Sequence, residues 1–364
     1  MTSDRLRMTN DRLRMTPGPT RVPERVRERM AEPTPNPDVE EEFFDWYDSL
    51  LEKLGVIFGS NDVVVLGGEG ILGLEAAVAS LVEEGDEVLC ISNGIYGDGF
   101  ADFMEMYGGD PETCSGPYAE GYDLDAIETT LEDGSFEVAT MVHCETPTGV
   151  LNDLDPVLDL LEAHDVFSVV DAVSSLGGTP VPVDRIDVCI GATQKCFSAP
   201  PGLTICSISD RAWERIEEVD APSFYTNFAP WRTAVEERWF PYTHLTSNLY
   251  GLEAAIDLVR EEGVASVFER HEEAAMRCRD LATDLGLEPY PDREGLCSPT
   301  VTALAVDGRA KELQEAMLEE HGIVLATGIG DLEEEILRIG HMGHNARLEL
   351  VEETMEALRN VVDG

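Results

Sequence analysis

Short, wholly apolar runs recur along this chain between stretches of helical periodicity, and that alternation restricts the fold more than any other feature of its 364 residues. The runs are VVVL (63–66), EVLCI (87–91), EVATMVH (137–143), FSVVDA (167–172), DVCIGA (187–192) and LTICSI (203–208). Each has strand length and several β-branched residues. Between them, LGLEAAVASLV follows Gly67, Gly68 and Gly70, a second helix is expected near 98–107, and Asp155 and Pro156 open a third with Val157, Leu158 and Leu161 on one face. Strands apolar on both faces need cover on both sides. The expectation is therefore an α/β fold with a mainly parallel sheet between helices. After about residue 262 the helices lengthen and carry more charge. VTALAV (301–306) and EILRIG (335–340) suggest strands there, and the last helix, near 346–362, aligns Leu348, Val351, Met355 and Leu358. This reads as a smaller α+β domain, and the length also favours two domains.

The hexamer DRLRMT occurs at 4–9 and again at 11–16, and residues 1–16 are expected to form a mobile leader. TPGPTRVPERV then reads as an extended arm stiffened by proline. The N-terminus lacks the apolar core of a secretory signal, and no apolar run approaches the roughly 20 residues of a membrane helix. A cytoplasmic location follows as the expectation. Asp and Glu total 73 against 25 Lys and Arg, a net charge of −48. Such a chain repels nucleic acid and anionic membranes. The acid is spread along the sequence and suits a protein that works in concentrated salt, where screening removes self-repulsion. Its eight cysteines form no CxxC pair and several lie in strand-like runs, which points to buried thiols rather than disulfides or metal ligands.

In open parallel sheets, ligands bind beyond the carboxyl ends of the strands. Four such ends carry unusual residues here. GGEGILGLEAA (67–77) places glycines between a strand and a helix N-terminus, which suits a phosphate or simply a tight turn. Asp171 ends an apolar strand and needs a partner, such as a protonated pyridine nitrogen or the amides of a following helix. HCETPTG (143–149) offers the hydroxyls of Thr146 and Thr148. Only three lysines exist, Lys53, Lys195 and Lys311, yet Lys195 follows a buried strand among apolar neighbours. Desolvation lowers a lysine's pKa and makes its amine reactive toward an aldehyde.

Together these motifs resemble the class V pyridoxal-phosphate-dependent aminotransferases, in the alanine–glyoxylate / serine–pyruvate branch. GEGILGLEAA, NGIYGDGF, HCETPTGVLNDL, VDAVSSLGG, GATQKCFSAPPGL and LRIGHMGHN match that family's blocks in order. The resemblance implies fold type I, with a mainly parallel seven-stranded sheet in a large domain (17–262, arm included) and a smaller α+β domain (263–364). It implies pyridoxal 5'-phosphate as cofactor, small amino acids and 2-oxo acids as substrates, and a homodimer. Lys195 would bind the cofactor covalently and Asp171 would pair with its ring nitrogen. Tyr96 and Val173 would cover the ring faces, and Thr146 would meet the ring hydroxyl. Gly70, Ile71 and Gln194 would surround the phosphate, with Thr243 reaching the phosphate of the neighbouring subunit. Arg338 would clamp the substrate carboxylate. Two positions depart from the pattern: Glu69 stands where relatives usually have Ser or Thr, and Phe240 where some have Tyr. A cysteine desulfurase on the same fold, with Cys297 as nucleophile, and a non-catalytic protein of this fold are the competing readings.

Overall fold

The structure is a computed structural model that describes residues 12–59 and 62–363. Residues 1–11 of the expected mobile leader lie outside the described ones. Its last residues are ordered against the rest of the chain. Leu13–Arg14 form a strand (β1), and Met15 is fully buried. The alternation of apolar Leu13 and Met15 is the physical reason, because it feeds the core of the small domain while the backbone between them pairs as a strand.

Helices α1 (Glu24–Met30) and α2 (Glu42–Phe58) precede β2 (Val63–Gly67), α3 (Gly70–Leu81), β3 (Glu87–Ser92), α4 (Ile95–Met106), β4 (Asp110–Ser115), α5 (Leu124–Asp133) and β5 (Val138–Val142). A short hairpin of β6 (Cys144–Glu145) and β7 (Val150–Leu151) follows, then α6 (Asp155–Ala163), β8 (Phe167–Asp171), β9 (Val188–Ala192), β10 (Leu203–Ile208), α7 (Asp210–Glu218) and α8 (Thr246–Glu262). Seven strands form one sheet in the order β2-β10-β9-β8-β5-β3-β4. β10 runs antiparallel to both its neighbours, and the other pairs are parallel. Every residue of β5, β9 and β10 is buried, as strands covered on both faces must be. β5, β8 and β9 are adjacent and parallel, so the segments that follow them open on one edge of the sheet. That edge carries Thr146 and Lys195 on the following segments and Asp171 at the last position of β8.

Helix α3 lies close on this sheet. A Cβ on Gly73 would come 2.3 Å from Thr204 and 2.8 Å from Ile190, and Ala76, Ala77 and Ala79 are fully buried. Small residues therefore let the helix axis approach the strands, which fixes its N-terminus at Gly70 over the same edge.

Gly263, at φ 90°, separates α8 from α9 (Val264–Thr283). Beyond it come β11 (Glu288–Pro289), β12 (Val301–Ala305), α10 (Ala310–His321), β13 (Ile323–Val324), β14 (Ala326–Thr327), β15 (Ile336–Gly340) and α11 (Leu348–Asp363). β11-β12-β15-β14 form an antiparallel sheet, while β13 pairs in parallel with β1. A second core joins Met15, Cys278, Leu304, Leu313, Ile339, Val351, Met355 and Leu358. Leu348 is the exception on the last helix and is exposed. All eight cysteines are free; six are buried, and Cys114 and Cys297 are half-buried. Among the described residues no helix is long and apolar enough to cross a membrane.

Candidate active site

Lys195 stands three residues past β9, in a turn with little freedom. Thr193 Oγ1 donates to the Pro200 carbonyl at 2.6 Å, and the Ser198 amide donates to the Lys195 carbonyl at 3.0 Å. From the N-terminal arm, Thr20 donates its amide to the Gln194 carbonyl and its hydroxyl to the Lys195 carbonyl, both at 2.9 Å. The amine of Lys195 donates to the Pro17 carbonyl at 2.9 Å. Gly18, at φ 103°, passes so near that a Cβ would fall 2.5 Å from Lys195 Cδ, so only glycine suits this crossing. The other two lysines differ in kind. Lys53 pairs with Glu253 and Asp257, and Lys311 with Glu333 and Glu334. Lys195 has no carboxylate at salt-bridge distance among the described residues. Burial lowers its pKa, and the charge of Asp171 partly opposes that.

The structure gathers eight of the expected residues around one cavity of about 300 Å³: Gly70, Ile71, Tyr96, Thr146, Asp171, Val173, Gln194 and Lys195. Asp171 ends β8, and its Oδ1 accepts the Val173 amide at 2.8 Å. Burial pushes this carboxyl up to about 6, against the pull of that amide and of Lys195. Thr146 shares a hydrogen bond with Ser174, and its carbonyl accepts from Arg338 at 3.4 Å. Arg338 is buried on β15, and its Nε also donates to the Thr327 carbonyl at 2.6 Å. Burial lowers its pKa too, and no carboxylate lies at salt-bridge distance among the described residues. A buried guanidinium with spare donors is built to receive an anion. Thr243 is not brought to this cavity within its own chain. It is exposed and donates to Asp38 at 3.0 Å. Phe240 is a core residue that stacks on Phe44 at 4.7 Å.

The pyridoxal ring fits this cavity. A buried amine, a carboxylate, an aromatic ring, a branched aliphatic side chain and a hydroxyl all face one slot. The end meant for phosphate fits less well. Helix α3 does present its first amides, but Glu69 caps it, accepting the Ile71 amide at 3.3 Å. Gln194 Nε2 donates to the same carboxylate at 3.3 Å, which leaves the buried Gln194 Oε1 without a hydrogen-bond partner. Lys195 is the only cation among the residues lining the cavity, and its amine is bonded to the Pro17 carbonyl.

Sequence reasoning missed three contributors. Ser174 directly follows Val173 in VDAVSS, but its pairing with Thr146 spans 28 residues. Pro17, Gly18 and Pro19 read as arm, although Gly18 and Pro19 line the cavity. Glu145 gives no signal of its own inside HCETPTG, yet it is fully buried. Cys297 is not among the cavity's lining residues, and burial raises its thiol pKa, opposite to what a nucleophile needs.

Comparison with known proteins agrees with this geometry. The family described as Aminotransferase class-V matches residues 60–333. A pyridoxamine–pyruvate transaminase of Mesorhizobium japonicum is 35% identical over 83% of this chain and 79% of its own length. The alanine–glyoxylate aminotransferase of Rattus norvegicus is 29% identical over 89% of this chain and 81% of its own. The crystal structure of pyridoxamine-pyruvate aminotransferase from Mesorhizobium loti superposes with a TM-score of 0.93 at 31% identity, covering 96% of this chain and 92% of that one. Fold, cavity and sequence match agree that this chain is an aminotransferase of class V, a family of fold type I enzymes that use pyridoxal phosphate.

Proposed function

We propose that this enzyme moves an amino group between a small L-amino acid, of the alanine or serine type, and a 2-oxo acid such as pyruvate or glyoxylate. The observation that carries this reading is two cations without carboxylate partners among the described residues: Lys195, which lines the cavity, and buried Arg338, which donates to the carbonyl of the cavity residue Thr146. Bound pyridoxal phosphate supplies an aldehyde and an electron-accepting ring. The chain supplies the rest. Lys195, whose pKa burial lowers, would hold the cofactor through its amine and would serve as the acid and base that moves the proton at the amino acid Cα. Asp171 would pair with the ring nitrogen and favour its protonated form. Tyr96 and Val173 would cover the two ring faces, and Thr146 would bond the ring hydroxyl. Arg338 takes the substrate carboxylate in a two-point contact. Gly70, Ile71 and Gln194 face the substituent at the far end of the ring. Thr243, exposed on its own chain, would complete that end in a homodimer. Borohydride reduction of the loaded enzyme followed by peptide mapping tests the core of this. The label belongs on Lys195, and a label on Lys53 or Lys311 would remove the assignment.

Glu69 and Gln194 favour a second reading, in which the ring compound is itself the amino donor. A carboxylate beside a phosphate is repulsive. Glu69 also dictates which way the Gln194 amide faces: its NH2 turns to the carboxylate and its oxygen is left seeking a donor. A phosphate dianion offers no hydrogen there, whereas the hydroxymethyl group of pyridoxamine does. The relative named as a pyridoxamine–pyruvate transaminase is similar over most of this chain. In this reading pyridoxamine and pyruvate give pyridoxal and alanine, with the ring compound leaving each cycle. Many turnovers of pyridoxal from pyridoxamine and pyruvate, with no phosphate ester added, would support it. Turnover that requires pyridoxal phosphate would return the first reading.

A further inference from the structure

Tyr96 is held at the cavity by its backbone, and the group that holds it is a buried acid. Gly94 caps helix α4 and contributes no side chain to the orphan amides of the first turn. Glu145 fills that role from another part of the fold. The Gly97 amide donates to its Oε1 at 2.7 Å, and the Tyr96 amide to its Oε2 at 3.3 Å. The carboxylate takes the space a side chain at residue 94 would need: a Cβ on Gly94 would stand 2.3 Å from Glu145 Cδ. The backbone of Glu145 is equally fixed, since its carbonyl accepts the Gly149 amide at 2.8 Å and the Thr148 amide at 3.2 Å. The next residue is Thr146, which lines the same cavity as Tyr96.

We infer that Glu145 is a positioning residue of the transamination site, joining the hairpin that carries Thr146 to the helix turn that carries Tyr96 and so setting where the aromatic ring lies over the bound ring. This rests on the transaminase reading, and it adds a residue that touches neither substrate nor cofactor. Its cost is visible. The carboxyl is fully buried, burial pushes it up to about 8, and the charge of Asp171 opposes its ionisation further. A fold that only needed a cap for α4 could have placed Ser or Asp at residue 94 itself. The long-range acid links two walls of the cavity instead.

Glu145→Gln tests this. It keeps the shape and one acceptor but turns an NH2 toward one of the two amides. Three quantities are measured on the full chain: amide hydrogen exchange at Tyr96 and Gly97 in apo protein, the affinity of apo protein for pyridoxal phosphate by absorbance titration, and kcat and KM for alanine with glyoxylate. The expected result is exchange faster by about tenfold, affinity weaker by about tenfold, and a lower kcat with an unchanged KM for alanine. In a Tyr96→Ala background the affinity loss from Glu145→Gln should shrink below about twofold, because the acid acts through that ring. Should Glu145→Gln fail to fold, Glu145→Asp, which keeps both acceptors at shorter reach, should show smaller losses with the same dependence on Tyr96. Unchanged exchange and affinity, or losses that add fully to those of Tyr96→Ala, would overturn the inference. If no amino acid turns over, the transaminase reading fails while the exchange and affinity measurements still decide the role of Glu145.

Discussion

Serine in place of Glu69 should shift this site toward the phosphorylated form of its ring ligand. Glu69 Oε1 accepts the Ile71 amide at 3.3 Å. A phosphate bound by the same amide would bring its charge to about 5 Å from that carboxylate. At that separation a unit charge facing a dianion costs about 1.7 kcal/mol in a water-like dielectric, and Glu69 is exposed enough for the water-like value to apply. That is a factor of about 10 to 20 in affinity. Serine is itself a good helix cap, so α3 should keep its start and the melting temperature should stay nearly unchanged. The substitution also frees Gln194 Nε2 from its bond to the carboxylate. The assay is an absorbance titration of apo protein with pyridoxal and with pyridoxal phosphate, at the lowest salt where the protein melts cooperatively and again in molar KCl. The ratio of the two affinities should move toward the phosphate ester by about 10- to 20-fold in low salt. Molar salt cuts the Debye length to about 3 Å and should reduce the shift to about twofold. An unchanged ratio in low salt would refute the electrostatic argument.

Arg338→Ala should raise the KM for small amino acids at a cost of about 2–5 kcal/mol in binding, while leaving affinity for the ring compound nearly intact; an unchanged KM would remove the residue from the site. The net charge of −48 predicts that melting temperature and dimerisation rise together from dilute buffer to molar KCl, and a melting temperature that is flat or falls would show the acid is no adaptation to salt. Acid should also destabilise the fold below neutral pH. Burial depresses His143 and His271 to about 4 and His244 and His341 to about 3, so between about 6.5 and those values the unfolded chain binds protons the folded chain refuses. Each then withdraws roughly 2 kcal/mol by pH 5. Glu145 and Asp171, raised by burial, act in the opposite sense over the same range, and four imidazoles outweigh two carboxyls. Chemical denaturation at pH 7.5 and pH 5 in high salt measures the balance; greater stability at pH 5 would contradict it.

The strands and the residues at their ends were legible because both are local. A continuous apolar run reads as a buried strand, and Asp171 or Lys195 stands out at its end by contrast. Scarcity helped with Lys195, one of three lysines. What was not legible depended on distance in the chain. Arg14 reads as a basic residue in a repeat until its strand is paired with Val324. Glu145 looks like one more acid among 73 acidic residues, and only the approach of α4 shows it is buried. The acidic composition also hid Glu69, which the family pattern exposed and its neighbours alone did not. Thr243 stands apart from the cavity of its own chain, bonded to Asp38, and its place at a neighbouring phosphate belongs to the homodimer proposal.

The strap formed by residues 13–20 has a consequence for how the enzyme is made. Its strand pairs with residues 323 and 324, and its Met15 carbonyl accepts the Gly340 amide at 2.7 Å. During translation these partners emerge roughly 300 residues after the strap, at a pace of about 5–20 residues per second. For that interval the large domain can fold while the strap has nothing in the small domain to hold it. Through that interval Thr20 can already hold its end of the strap to the Gln194 and Lys195 carbonyls, and the Leu13–Met15 end docks last. A ribosome-bound chain stalled before residue 320 would keep the partners of Pro17 and Thr20 while lacking those of Leu13, Arg14 and Met15.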